Sequence, residues 1–146
     1  MRITYRGDYA LKTILDLSLH YGKSPVTIHD LAKGADIPIK FLEQILLGLK
    51  RGKFVISRRG KVGGYLLARP PAQIKLGDVL RFIDGPIEPI ICVDKDYNGC
   101  SDINRCVFRG IWKKIAESDT KIIDNITFED LVKKNKKFSS TLTYQI

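Results

Sequence analysis

Three short amphipathic segments precede two β-prone runs that flank a glycine-rich loop, and this order constrains the fold more than any other feature of the chain. The runs, residues 54–57 and 65–68, are mostly apolar. The loop between them contains three glycines, which allow a tight reversal of the backbone. The pattern therefore predicts a mostly α-helical chain that carries one small β-hairpin.

Apolar periodicity predicts the helices before the hairpin. The first covers about 9–21, with Asp8 where an N-cap belongs. Thr27 caps a short second helix, Pro38 opens the third, and Gly52 ends it. The third helix is expected to bury one stripe of side chains: Phe41, Leu42, Ile45, Leu46 and Leu49.

The region after the hairpin is predicted to be helical at both ends and irregular in between. Helical spacing covers 76–83, resumes near Phe108 and recurs briefly over 127–132, before a lysine-rich tail that we expect to fray. The intervening segment is rich in Asp, Asn, Gly and Ser, which disfavours regular structure.

Charge is unevenly distributed along the chain. The formal net charge is +9, and residues 1–70 carry +8 of it. Six Lys and Arg side chains, and no acidic one, lie between Lys50 and Lys61. A basic surface of this kind is typical of proteins that bind nucleic acid.

Three helices followed by a basic hairpin is the order of a winged helix-turn-helix domain. Its third helix enters the major groove, and here Lys40, Glu43 and Gln44 form a polar stripe with suitable donors and acceptors. Arg58 and Arg59 at the hairpin tip can reach phosphates or a narrow minor groove. The same stripe and hairpin could also be ordinary solvated surfaces.

Several other functional classes are excluded or disfavoured by the sequence. Its apolar runs are far shorter than the roughly 20 residues of a membrane span, and its N-terminus lacks the apolar segment of a signal peptide. We therefore expect a cytoplasmic protein with no membrane partner. Its two histidines lie far from the cysteines in sequence, which argues against a thiol enzyme or metalloenzyme.

All three cysteines of the chain lie within one polar segment, at Cys92, Cys100 and Cys106. Thiolates suit iron–sulfur clusters, zinc or copper(I), and the spacing differs from that of common zinc ribbons. Arg105 and Arg109 add positive charge beside Cys106, which suits an anionic cluster. The odd count argues against a disulfide framework.

Several blocks of the sequence resemble the Rrf2 family of transcription regulators. They are Met1-Arg2-Ile3-Thr4 with Gly7-Asp8-Tyr9-Ala10-Leu11, Phe41-Leu42-Glu43-Gln44-Ile45-Leu46, the run from Arg58 to Leu67, and the three cysteines ahead of Trp112. Together the blocks span roughly 1–132. The combined pattern is far more specific than any single block.

The resemblance implies a homodimer that binds double-stranded DNA at a palindromic operator. It divides the chain into a winged helix-turn-helix domain (1–70), a connecting helix and linker (71–90), a cysteine loop (91–107), and a dimerisation helix with a C-terminal tail (108–146). The predicted DNA-binding residues are Arg2, Thr27, Lys40, Glu43, Gln44, Arg51, Arg58, Arg59, Lys61, Gly63, Gly64 and Tyr65.

The resemblance also implies an iron–sulfur cluster, of [2Fe–2S] or [4Fe–4S] type, on the three cysteines. Some family members supply a histidine three residues after the third cysteine, but Arg109 stands there. In others an acidic residue of the first helix reaches the cluster from the other subunit, and Asp8 matches that position. The remaining candidates are Asp94, Asp96, Asp102, His20, His29, or an exogenous thiol or water.

Two regulatory functions follow from these observations. The first is a dimeric transcription regulator whose DNA binding is controlled by the cluster. The alternative is a cluster-free regulator of the same family, switched by cysteine oxidation or by a protein partner.

Overall fold

The structure, a computed structural model, describes residues 3–143, and within them lie six α-helices and one antiparallel β-hairpin. In chain order they are α1 (Tyr5–Leu19), α2 (Ile28–Ala35), α3 (Ile39–Arg51), β1 (Val55–Arg58), β2 (Gly64–Leu67), α4 (Leu76–Asp84), α5 (Arg109–Asp124) and α6 (Phe128–Thr143). Single 3₁₀ turns occur at Pro71–Gln73 and Ile91–Val93. The prediction of a mostly α fold with one hairpin is confirmed.

The first helix begins earlier than its apolar stripe indicates. Thr4 is the N-cap, and its Oγ1 accepts a hydrogen bond of 3.0 Å from the Gly7 amide. The prediction that Asp8 caps this helix is therefore wrong. Asp8 lies in the first turn, where its carboxylate pairs with Lys12 Nζ at 2.7 Å and raises the pKa of that lysine.

The boundaries of α2 and α3 follow the local signals in the sequence. Thr27 Oγ1 accepts from the Asp30 amide at 3.2 Å and donates to Asp30 Oδ2 at 2.7 Å, which forms the predicted capping contact. Pro38 immediately precedes α3 and Gly52 immediately follows it. Both signals act locally, which is why the sequence reveals them.

One apolar core joins helices from both ends of the chain. Ala10, Ile14 and Leu17 of α1 are buried against the inner face of α3 and the base of the hairpin. Phe128 at the start of α6 is completely buried in the same core. The C-terminal helix is therefore anchored on α1 rather than being an independent appendage.

The last helix is longer than predicted, because the lysine-rich tail continues α6 to Thr143 instead of fraying. Asp130 accepts hydrogen bonds from the Thr127 amide and hydroxyl, which hold the pKa of its carboxyl below the usual range. Lys133 pairs with Glu129 one turn earlier, at 2.8 Å. The buried Phe128 supplies the tertiary contact that the lysine pattern alone does not reveal.

Lys53 connects α3 to the hairpin in a left-handed conformation, with φ of 57°. Its amide donates to the Lys50 carbonyl, and the Phe54 amide donates to the Leu49 carbonyl, both at 3.0 Å. This is the pattern of a helix C-cap at which glycine is the usual residue. A side chain at this position costs conformational energy.

Replacing Lys53 by glycine is expected to stabilise the protein by about 0.5–1 kcal/mol, because glycine adopts positive φ without strain. Thermal unfolding of the two proteins measures the effect. Lys53→Ala is the control, since it removes the same charge but retains Cβ. Equal melting temperatures for the glycine and alanine variants would contradict the assignment of strain.

Candidate nucleic-acid interface and cysteine loop

Helix α3 exposes the polar stripe that the sequence predicts. Lys40, Glu43 and Gln44 face solvent, while the opposite side of the helix is buried in the core. The predicted burial of Phe41 is wrong, since 63% of its surface is exposed. It borders an open apolar cavity of about 520 Å³ between α3 and the start of α1.

The hairpin forms the predicted basic wing. Arg58 pairs with Gly64 at the end of the two strands, and the Gly63 amide donates to the Gly60 carbonyl at 3.0 Å to close the tip. Arg58, Arg59 and Lys61 are all exposed. The wing therefore presents three exposed cationic side chains to solvent.

Lys50 adds a contact that sequence reasoning missed. Its Nζ donates to Ser57 Oγ at 2.7 Å and so links the last turn of α3 to β1. The link depends on the turn at Lys53, which brings the strand back beside the helix. No local sequence signal identifies this pair, because it requires knowledge of how the helix and strand pack.

Tyr65 anchors the wing through its backbone. Its amide donates to the Val26 carbonyl at 2.8 Å, and the Val26 amide donates to the Tyr65 carbonyl at 3.0 Å. The Tyr65 side chain is half-buried against the core. Gly64, with φ of 152°, lies so close to the Val26 carbonyl that a Cβ would overlap it.

The other predicted DNA-binding residues lie in different settings. Thr27 is exposed at the start of α2, where its hydroxyl makes the capping contact, and Arg51 is exposed at the end of α3. Arg2 lies outside the described residues. Along the part of the chain that is described, no helix has the length and apolar character needed to cross a bilayer.

The three cysteines are half-buried free thiols in the segment between α4 and α5. Cys92 lies in the 3₁₀ turn Ile91–Val93, and its carbonyl accepts a hydrogen bond of 3.0 Å from Arg109 Nε. The Cys106 amide donates to the Asp102 carbonyl at 2.9 Å, and the Ile103 amide donates to the Cys100 carbonyl at 3.3 Å. The loop is thus ordered by backbone contacts and tied to the first residue of α5.

The cysteine thiols and nearby carboxylates are suitable ligands for a cluster, although they do not form a metal-binding group in the described part of the single chain. Within residues 3–143, no three Cys, His, Asp or Glu side chains lie close enough together to hold a metal ion. Asp94 Oδ1 is already engaged by the Asp96 amide at 2.8 Å. His20 contacts the Asp16 carbonyl at 2.9 Å, and burial raises the pKa of the Asp16 carboxyl.

Asp8 is not the N-cap of α1, so its carboxylate does not have a capping role. About half of its side chain is exposed. It borders a cavity of about 680 Å³ together with Ile3, Tyr5 and Leu11. Asp8 therefore need not leave a capping position to act as a ligand, but it would have to give up its ion pair with Lys12.

Comparison with known proteins identifies the family. The Rrf2 family, described as iron-dependent transcriptional regulators, matches residues 3–134. The chain belongs to the Rrf2 family. The predicted resemblance is confirmed, and the protein is a DNA-binding transcription regulator of this type rather than an enzyme.

Two relatives in this family carry the name HTH-type transcriptional regulator IscR. The one from Sodalis glossinidius is 35% identical over 132 residues, which cover 90% of this chain and 79% of that protein. The one from Xenorhabdus nematophila is 34% identical over 133 residues, which cover 91% and 80%.

Solved structures show the same fold in Rrf2 proteins. CymR (YrzC), described as the global cysteine regulator of B. subtilis, is similar with a TM-score of 0.77 and 29% identity, over 92% of this chain and 98% of that one. T. potens IscR is similar with a TM-score of 0.75 and 30% identity, over 92% and 88%. The winged helix-turn-helix architecture is thereby confirmed.

Replacing Gly64 by alanine is expected to displace the wing, because the new Cβ overlaps the Val26 carbonyl. We expect a loss of stability above about 1 kcal/mol together with weaker DNA binding. Urea unfolding and a DNA titration at fixed salt measure the two effects. Gly22→Ala is the control, since Gly22 also has positive φ but has open space around it. Equal effects of the two variants would contradict the role of the Val26 contact.

Proposed function

We propose that this Rrf2 chain is a cytoplasmic homodimer whose binding to a palindromic operator is controlled by an iron–sulfur cluster on the cysteine loop. The observation that carries the proposal is the placement of all three thiols in one loop that Arg109 joins to the start of α5. A change in the loop can therefore act on the helix that follows it. IscR relatives at about a third identity support the same function.

In this proposal DNA is read by α3 and held by the wing. Glu43 accepts from cytosine N4, Gln44 pairs with adenine, and Lys40 donates to guanine. Arg58, Arg59 and Lys61 contact phosphates or the minor groove beside the major-groove site, with Arg51, Thr27 and Arg2 as further contacts. Gly63 and Gly64 let the backbone of the wing approach the DNA closely.

Helix α5 supplies the dimer contact. Its exposed apolar side chains recur at helical spacing, with Ile111 54% and Ile122 60% exposed and Ile115 between them. Phe108, just before the helix, extends the same patch. Exposed apolar side chains along one helix favour burial against a second copy of that helix. The two winged domains would then meet half-sites about one helical turn apart.

Cys92, Cys100 and Cys106 would hold the cluster, with Asp8 of the partner subunit as the fourth ligand. When bound, the cluster supplies a centre that gains or loses electrons and is destroyed by oxidation. The thiols are not gathered in the single chain, so binding requires the loop to contract around them. Arg109 neutralises negative charge at the site and, unlike histidine, leaves the fourth position to another group.

The alternative function is a cluster-free regulator whose thiols are oxidised or whose loop binds a protein partner. The observation that favours it is that all three thiols are free and that, within the described chain, no three Cys, His, Asp or Glu side chains are grouped so that they could hold a metal ion. Free half-buried thiols can form sulfenic acid or a disulfide. The content of iron and sulfide distinguishes the two functions.

Glu43→Ala is expected to relax base preference at one position of each half-site, by about 1–3 kcal/mol, because the acceptor for cytosine N4 is lost. Selection of binding sites from a random DNA pool measures the preference. Glu129→Ala removes the same charge from α6 and should leave the selected sequence unchanged. An unchanged preference in the Glu43 variant would exclude base reading by this residue.

Anaerobically purified protein is expected to contain iron and acid-labile sulfide, and serine at any of the three cysteines should remove most of both, since each thiolate is a ligand. Chemical analysis with the absorption spectrum provides the measurement. Ser101→Ala, in the same loop, is the control. Absence of iron and sulfide from the wild type, with DNA affinity that responds to thiol oxidation, would favour the alternative function.

A further inference from the structure

The last turn of α4 contacts both the end of α5 and the start of α1. Arg81 forms a two-pronged ion pair with Asp124, in which Nη1 donates to Oδ1 at 2.8 Å and Nη2 donates to Oδ2 at 2.9 Å. About a third of each side chain is exposed. A paired geometry of this kind fixes orientation as well as distance.

Asp84, three residues after Arg81, holds the first turn of α1. Its Oδ2 accepts from the Thr4 amide at 3.0 Å, and its Oδ1 accepts from the Thr4 hydroxyl at 2.6 Å. Thr4 Oγ1 in turn accepts from the Gly7 amide. The cap of α1 is therefore oriented by a carboxylate 80 positions away in the chain.

Two buried glycines make room for these carboxylates. A Cβ on Gly7 would overlap the Asp84 carboxylate, and a Cβ on Gly77 would overlap that of Asp124. At both positions two helices approach each other closely, and a residue larger than glycine would force the helices apart. Beneath them, Leu80, Ile87 and Ile123 form a small apolar cluster.

The opposite end of α5 is tied to the cysteine loop. Arg109, its first residue, donates to the Cys92 carbonyl. The helix contains 16 residues, and so spans about 24 Å at the rise of an α-helix. An α-helix of this length is a secondary element that can carry a displacement from Arg109 to Asp124.

We propose that Arg81, Asp84 and Asp124, here called the α4 junction, are positioning residues that transmit the state of the cysteine loop to α1. Helix α1 shares its buried face with α3, so its orientation sets that of the DNA-reading surface. The regulatory use of the junction rests on the proposed function. The mechanical link does not, because it requires neither a cluster nor DNA.

Hydrogen exchange of the full-length protein tests this link. The reduced chain is compared with a chain whose three cysteines are carbamidomethylated by iodoacetamide, a bulky change confined to the loop. In the wild type we expect alkylation to change exchange at least about twofold both in the first turn of α5 and in the first turn of α1.

Asp124→Asn and Arg81→Gln should abolish the response of α1, because each removes the ion pair that joins α5 to α4. The response of α5 should remain, because the contact between Arg109 and the Cys92 carbonyl is unchanged. Both variants also retain the contact between Asp84 and Thr4, and with it the cap of α1. The variant with both substitutions should behave like either single variant, since each substitution removes the same ion pair. Asp119→Asn, the same substitution elsewhere in α5, is the control and should respond like the wild type.

The junction would be overturned by either of two results. One is an α1 first turn that does not respond to alkylation in the wild type. The other is an α1 response that persists in the Asp124 and Arg81 variants. A DNA affinity that is the same whatever the state of the cysteine loop would instead refute the proposed regulation. The hydrogen-exchange result would still test whether the α4 junction links the loop to α1.

Discussion

The buried face of α1 is the surface on which the rest of the molecule is assembled. Ala10, Ile14 and Leu17 pack against α3, the base of the hairpin and the buried ring of Phe128. Because protein interiors are close-packed, a shift of α1 must be matched by the elements that share its core. Helix α3 and the C-terminal helix are therefore coupled by packing, although they are far apart in sequence.

Local signals made much of this fold predictable. The capping contact of Thr27, the proline and glycine around α3, and the glycine-rich hairpin each act over a few residues. The polar stripe of α3 was also evident from periodicity alone. The exposure of Phe41 at the edge of this stripe was not evident from periodicity, because it depends on how much of that side of α3 is covered by α1.

Long-range contacts decide the features that the sequence did not reveal. Asp8 looks like an N-cap, but Thr4 has that role, and Asp84 of α4 accepts a hydrogen bond from its hydroxyl. The lysine-rich tail looks frayed, but Phe128 fixes the start of its helix in the core. The three cysteines were recognisable as a set, whereas only the structure shows that, within residues 3–143, they do not form a group that could hold a metal ion.

The central claim is that the cysteine loop controls DNA binding. The most direct test is the dissociation constant for a selected operator, measured anaerobically at one salt concentration for cluster-loaded and cluster-free protein. We predict that the two constants differ by at least about fivefold, the lower end of typical allosteric coupling. Constants that agree within about twofold, with full cluster occupancy in the loaded sample, would contradict the claim.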